Sequence, residues 1–341
     1  MDPLELDDAA LVRYLADRIP GFAGPVTSNK FADGQSNPTY LLSAASGKYV
    51  LRRKPPGQLL KSAHAVEREF RVMRALAETE VPVPRVFHLC SDETVIGSIF
   101  FVMEYVDGKI YWDPALPQLS NAQRHATYLE MCRVLARLHQ VDINAVGLGD
   151  YGKPGDYFAR QTGRWTQQYF ASQTEEIPEM AAVIDWLPAN LPADDGRVSL
   201  VHGDFRLDNI IFDSDKPEIV ALLDWELSTL GHPLADLAYQ CMQLRMDPGK
   251  YLPGLNGIDR VALGIPSERE YVALYCKHCG LERIDNWPFY LVFGFFRMAA
   301  ILQGVKKRAL DGNASSAIAL GYATLVRPLA EKALAVIHDE S

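Results

Sequence analysis

The run LVHGDFRLDNIIFD, Leu200 to Asp213, sets a His, a Gly, two Asp, an Arg and an Asn between two apolar patches. A buried strand does not carry that many polar groups without a use for them. A solvated loop has little need of the LV and IIF flanks. The run therefore reads as a loop held between two short strands. Asn209 opens the second strand, and Asp224 ends a further β-prone run, EIVALLDWE, fifteen residues later. A hairpin-like connection would bring Asn209 and Asp224 side by side, with oxygens able to share a hard cation. Mg²⁺ suits such a site, because it takes few protein ligands and fills the rest with phosphate and water. Asp204, in the loop before Asn209, would sit slightly further out, where it can accept a proton or orient a hydroxyl. Taken as local structure alone, Asp204 and Asn209 are turn formers. Three such residues at set spacing favour the chemical reading.

Bulk properties bound what can surround these residues. A chain of 341 residues suggests two lobes. Apolar residues at 48% and charged residues at 23% are ordinary for a soluble globular protein. A net charge of −9 argues against a nucleic-acid partner, yet leaves room for a local basic pocket. The five cysteines, with an acidic N-terminus (MDPLELDDAALVRYL) where a secretory signal would be basic, predict reduced thiols and a cytoplasmic protein. The apolar run FYLVFGFF falls short of the ~20 residues of a membrane span, so a buried helix is expected and no membrane partner. CKHC (Cys276, His278, Cys279) offers half a zinc site in a helical pattern, without the four ligands a structural zinc needs.

Periodicity places the elements. Residues 8–19 and 62–78 have helical spacing, and 26–54 reads as three short strands separated by turn clusters. Pro82 and Pro84 must end the second helix, and SIFFVMEYVDG reads as a buried strand. After residue 108 long helical patterns dominate: 121–140, 155–173, 178–190, 234–246, 267–280, 287–309 and 313–337. The only strand-like pieces there are VSLVHGD, NIIFD and EIVALLDWE. The fold class is α+β. Residues 1–106 form a small lobe of about five strands with one main helix, and residues 103–108 are the hinge. Residues 107–341 form a larger helical lobe carrying the loop 200–213 and the metal segment 219–226.

H-G-D-x₄-N followed by LLDWE resembles the catalytic loop and metal segment of the aminoglycoside phosphotransferase and choline kinase branch of the protein-kinase-like fold. Protein kinases write these segments H-R-D-x₄-N and D-F-G. Gly203 stands where they have Arg, and Trp225–Glu226 follow the metal Asp. The lobe order matches too, so the resemblance covers nearly the whole chain and implies a bilobal fold with an antiparallel N-terminal sheet. It implies ATP and Mg²⁺ as cofactors, Asp204 as the catalytic base, and Asn209 and Asp224 as the metal ligands. His202 becomes an architectural residue of the loop, and His139 a buried helix residue near it. Asp236, in GHPLADLAY, resembles the buried Asp that fixes the loop backbone; it also suits a plain helix N-terminus.

In the first lobe the resemblance makes FADGQSNPTYLL the loop that covers the nucleotide, with Gly34, Gln35, Ser36 and Asn37 nearest the phosphates. The same residues also suit an ordinary hairpin loop. In KYVLRRK, strand alternation points Val50 and Arg52 the same way. Arg52 then takes the phosphate-binding position, with Arg53 and Lys54 as competitors, and Val50 roofs the adenine. Glu69 is the expected partner carboxylate, with Glu67 second. FVMEYVDG becomes the hinge, with backbone groups of Glu104 and Val106 on the adenine edge and Met103 behind it.

The implied activity is that of a phosphotransferase with an alcohol group of a small molecule as acceptor. Only 11 residues separate Asp224 from Asp236, which leaves no room for a long activation segment, so protein substrates are not expected. GQSNPTY and VLRRKPPG are most similar to the kinase-like domain fused in eukaryotes to acyl-CoA dehydrogenases, which implies a hydroxyacyl-CoA-like acceptor. The alternatives are an aminoglycoside- or choline-type kinase and a nucleotide-binding scaffold without catalysis. Glu175, Glu176, Asp194 and Asp195 would suit a cationic acceptor. Arg160, Arg164 and Arg260 would suit an anionic one.

Overall fold

The computed structural model describes residues 5–31, 37–55, 64–311 and 317–339. In chain order the elements are α1 (Asp8–Ala16), β1 (Val26–Lys30), β2 (Thr39–Ala44), β3 (Gly47–Arg53), α2 (Val66–Leu76), β4 (Val86–Cys90) and β5 (Phe100–Glu104). Next come α3 (Asn121–His139), α4 (Tyr157–Ser172), α5 (Pro178–Ala189), β6 (Ser199–Val201), β7 (Ile210–Phe212), β8 (Ile219–Leu222) and β9 (Thr229–Gly231). The last are α6 (Leu234–Arg245), α7 (Arg260–Leu263), α8 (Glu268–Cys279), α9 (Trp287–Leu310), α10 (Ala317–Ala323) and α11 (Val326–His338). They divide into two compact units: Met1–Ile110 with Asn144–Leu148 and Asn209–Ser228, and the remainder.

The first unit is built on an antiparallel sheet of order β1-β2-β3-β5-β4. Alternation along its strands makes two apolar faces. Tyr40, Leu42, Leu51, Phe100 and Val102 pack with Leu11 and Leu15 of α1 in one core cluster. Helix α1 is started by Asp7, whose carboxylate accepts from the Ala10 amide at 2.9 Å. Helix α2 buries Val66, Val72, Met73 and Leu76 along one stripe, the spacing of an amphipathic helix, with Glu69 on the same side.

The β7–β8 hairpin belongs to this unit, although the sequence reading counted it with the helical lobe. The reason is backbone pairing. Phe212 and Lys109 exchange two hydrogen bonds at 2.8 Å, and the Leu222 amide donates to the Pro82 carbonyl at 2.9 Å. Gly108 is what allows this approach, since a Cβ there would lie 2.4 Å from the Phe212 carbonyl oxygen.

In the second unit, Ser120 and Gln123 form a capping box at the start of α3, and Ser267 and Glu270 form one at α8. Helix α9 is the centre of the core, packed by α4, α5, α6, α10 and α11. By length and composition it meets the test for a membrane-crossing helix, but 83% of its most apolar window is buried inside this unit. The helix expected over 313–337 is two, α10 and α11, broken at 324–325; its residues 313–316 lie outside the described residues. Pro328 accounts for the break: it has no N–H to give the Thr324 carbonyl, and its ring would press on that carbonyl. In the first turn of α11 the missing N–H is harmless. The three-residue β9, which pairs with β6, was not foreseen.

Candidate active site

Two groups of side chains gather the residues singled out above, one in each unit. In the first unit Arg52 is the hub. Strand β3 sends Leu51 to the α1 core and turns Val50 and Arg52 to the other face. Val50 lies directly across from Met103 on β5, so the two expected adenine neighbours are a cross-strand pair. Arg52 Nε donates to Glu69 Oε1 at 3.1 Å, its Nη2 meets Asp224 Oδ1 at 2.5 Å, and Glu226 Oε2 is 3.9 Å away. Its competitors have other partners. Arg53 donates to Ser98 at 2.8 Å in the interior, and Lys54 pairs with Glu67 at 2.6 Å.

Asp224 has φ +62°, in the left-handed region that Asp tolerates better than most residues. That conformation turns the chain out of β8 into a short 3₁₀ turn anchored by Trp225, which is buried and donates Nε1–H to the Leu222 carbonyl at 3.1 Å. Across the hairpin the Leu223 amide donates to the Asn209 carbonyl at 2.9 Å, so Asn209 and Asp224 flank one another at the ends of paired strands.

Asn37, expected near the phosphates, has protein partners for its side chain. It is 1% exposed, its amide donates to Glu69 Oε1 at 3.0 Å, and its carbonyl meets His64 at 3.1 Å. It shares Glu69 Oε1 with Arg52 Nε and so braces that carboxylate. Gly34, Gln35 and Ser36 lie outside the described residues. At the hinge, the Glu104 amide donates to the Arg85 carbonyl at 2.8 Å, and Val106 is half-buried just beyond the strand.

One guanidinium faces three carboxylates here, whose oxygens lie within 4.8 Å of one another. Fully ionised, the cluster would carry two uncompensated negative charges, the charge of one divalent cation. The all-oxygen donor set also suits a hard ion, so the residues fit Mg²⁺. Without a cation the charge is relieved by proton uptake. Burial pushes Glu69 up, Arg52 pulls it down, and Asp224 and Glu226 push it up again, to about 7 from 4.5. Burial opposes the Arg52 charge, but Glu69, Asp224 and Glu226 outweigh it and hold the guanidinium protonated. A carboxyl whose pKa rises on folding supports the fold fully below its unfolded pKa and loses that support as pH climbs through the folded one. In metal-free buffer, the wild-type melting temperature should therefore fall relative to Glu69→Gln as pH rises from about 4.5 to 7. Parallel melting curves across that window would count against the raised pKa.

In the second unit the H-G-D loop leaves β6 and is held by α6. Asp236, wholly buried, accepts from the His202 amide at 2.6 Å and the Gly203 amide at 2.9 Å. Gly203 has φ +83°, where a side chain would be strained. The His202 ring accepts from the Asp204 amide at 3.2 Å through Nδ1, so it shapes the loop from inside. His139 meets Asp236 at 3.4 Å and the Tyr275 hydroxyl at 2.7 Å. Burial works against the Asp236 charge; His139, His202 and the Gly203 amide bring its pKa below the ordinary carboxylate value. Support from this residue is thus present above about pH 4 and lost only as pH falls through the depressed pKa. Asp236→Ala would strand two buried amides and His139, and is expected to lower unfolding free energy by about 3–5 kcal/mol, read by urea titration. A loss under about 1 kcal/mol would remove Asp236 from this role.

The Asp204 carboxylate meets two groups that the sequence reading left aside or unassigned. Tyr239 donates its phenol to Oδ1 at 2.6 Å, and Arg206 Nε is 3.0 Å from the same oxygen. Arg206 also pairs with Asp208 at 3.0 Å. Arg297 of α9 donates to the Gly203 carbonyl at 2.9 Å. Both missed residues had a signal. Tyr239 is three residues after Asp236, on the same helix face. Arg297 is a lone cation in the apolar run FGFFRMAA.

The fold is the protein-kinase-like one of small-molecule phosphotransferases. The crystal structure of macrolide 2′-phosphotransferase MphH from Brachybacterium faecium shares it at TM-score 0.59 over 94% of this chain and 98% of that one, with 18% identity. The chain belongs to the phosphotransferase enzyme family, whose model matches residues 27–264. A crystal structure from Ralstonia eutropha, provisionally described as an aminoglycoside phosphotransferase, is 48% identical at TM-score 0.90, covering 98% of this chain and 99% of that one. Acyl-CoA dehydrogenase family member 10 of Mus musculus is 51% identical over 95% of this chain and 30% of its own length. Family member 11 of Homo sapiens is 43% identical over 97% of this chain and 43% of its own length. The chain thus spans less than half the length of these curated relatives.

Proposed function

We propose that the chain transfers the γ-phosphoryl group of ATP to a hydroxyl of a small molecule, with a hydroxyacyl-CoA-like metabolite as acceptor. The observation that carries the reading is Arg52, held between Glu69 and Asp224 at 3.1 and 2.5 Å, a cation preset among ligands for a divalent ion. Arg52 would neutralise the phosphates, with Glu69 and Asn37 fixing its direction. Asp224 and Asn209 would hold Mg²⁺, which when bound supplies charge stabilisation on the phosphates. Val50, Met103 and the hinge backbone would bind the adenine. Asp204 would orient the acceptor hydroxyl and take its proton as the new O–P bond forms and the bond to the ADP oxygen breaks. Phosphoryl transfer needs mainly positioning and charge.

The choice of acceptor class is supported by which side chains already have partners. Glu175 pairs with Lys306, Asp194 accepts from the amides of Asp156 and Gly196, and Asp195 pairs with Arg197 and His232. By contrast, Arg160 donates to the carbonyls of Lys153 and Pro154, and Arg164 lies over the Trp165 ring. Neither takes a carboxylate partner among the described residues. Three of the four carboxylates in use, Glu176 being exposed, and two arginines without acids favour an anionic acceptor over a polyamine, and the relatives named as acyl-CoA dehydrogenase family members point the same way. The test is ADP release with 3-hydroxybutyryl-CoA, 3-hydroxybutyrate, choline and kanamycin. Turnover on the CoA ester alone supports the reading. Turnover on kanamycin alone replaces the acceptor class. Stabilisation by Mg·ATP with no turnover on any acceptor favours a nucleotide-binding scaffold.

A further inference from the structure

Helix α6 holds the H-G-D loop twice. Asp236 takes the backbone amides of His202 and Gly203. Three residues further on, Tyr239 reaches the side chain of Asp204 itself, phenol to Oδ1 at 2.6 Å. The Tyr239 ring is buried, and the Arg297 guanidinium carbon lies 5.9 Å from its centre while Nη2 donates to the Gly203 carbonyl at 2.9 Å. The ring is therefore fixed by α6 and α9 independently of Asp204. A buried tyrosine usually finds a partner for its hydroxyl, and a backbone carbonyl would serve. Here the partner is the carboxylate on which the proposed chemistry depends. Arg206 Nε converges on the same oxygen at 3.0 Å.

An aspartate carboxylate turns about χ2 in a broad, two-fold well, and a donor on one oxygen narrows it. We propose that Tyr239 is a positioning residue, fixing the Asp204 carboxylate through Oδ1 in the orientation that receives the acceptor's proton. The proposal rests on Asp204 being the base. Tyr239 itself moves no proton: burial, then the neighbouring Asp204 charge, hold its phenol well above its ordinary pKa.

Tyr239→Phe keeps the ring against Arg297 and removes only the hydroxyl. ADP release is measured with 3-hydroxybutyryl-CoA and with water alone as acceptor, beside melting temperature and Mg·ATP affinity. The expected result is a fall in kcat of about 10- to 100-fold, the range for one hydrogen bond to a charged group. KM for ATP should stay within about twofold, the signature of an interaction outside uniform substrate binding. In an Asp204→Ala background the same substitution should do nothing further, because the residue acts through Asp204. A wild-type kcat in Tyr239→Phe overturns the proposal, as does an equal fall in the Asp204→Ala background. A parallel loss of nucleotide affinity and melting temperature also overturns it, since that marks a merely structural tyrosine. A wild type that releases no ADP with water, the CoA ester, 3-hydroxybutyrate, choline or kanamycin overturns the phosphotransferase reading itself, and the positioning role with it; turnover on one of the other acceptors only moves the kcat comparison to that acceptor.

Discussion

Asp204→Ala is expected to lower phosphoryl transfer about 10²–10⁴-fold, the range for loss of a general base, while Mg·ATP affinity stays near wild type. The two halves of this expectation separate because nucleotide contacts are assigned to Arg52, Asp224 and Asn209, and Asp204 is assigned to the acceptor. The alanine also leaves the Tyr239 phenol, buried and 2.6 Å from the lost oxygen, without its acceptor. An orphaned buried hydroxyl costs about 1–3 kcal/mol, so some loss of stability should accompany the loss of rate. Asp204→Asn separates the two effects: its amide oxygen still accepts from Tyr239, but its side chain takes no proton. If the base matters, Asn should be about as slow as Ala and clearly more stable. Rates are read by single-turnover transfer of labelled γ-phosphate and affinity by calorimetry. Wild-type turnover in both variants would end the assignment of Asp204.

Much of the scaffold was legible because local rules act there. Alternation in KYVLRRK separates Leu51, in the core with α1, from Val50 and Arg52. Helical spacing of Val66, Phe70, Met73 and Leu76 marks α2; the face it buries has Val72 in place of Phe70 and carries Glu69 inward. The spacing of His202, Asp204, Asn209 and Asp224 marks a loop and a hairpin. What was not legible depends on contacts far apart in sequence. Tyr239 and Asp204 are 35 residues apart, and Arg297 and Gly203 are 94 apart. No periodicity links such pairs. Asn37 shows a different limit: a small amide in a loop suits phosphate contact and also suits bracing a buried carboxylate. Only the packing of Asn37 against Glu69 and His64 tells them apart. The break before α11 was a missed local signal, since Pro328 alone dictates it.

Asp224→Ala should weaken Mg-dependent ATP binding by more than about 100-fold, beyond the 10- to 100-fold typical of losing a partner outside the metal's own ligands. The argument rests on charge. With Asp224 present, Arg52 has three carboxylates around it, at 3.1, 2.5 and 3.9 Å, and the cluster has two negative charges to offer a divalent ion. Remove Asp224 and Arg52 closes on Glu69 and Glu226, leaving one. The ion then loses both a ligand and half of the compensating charge. The fold should lose a little stability: the Asp224 side chain is 31% exposed, so its ion pair contributes about 0–1 kcal/mol, and alanine at φ +62° adds about 1 kcal/mol of backbone strain. The expected pattern is a modestly lowered melting temperature without nucleotide and no Mg·ATP-induced stabilisation. Binding of ADP without metal should change little, or even tighten, because a negative charge facing the phosphates is gone. Calorimetry with and without Mg²⁺ distinguishes these outcomes. A Mg·ATP titration matching wild type would show that Asp224 is only the acid that pins Arg52, and the cation would have to be held by other residues.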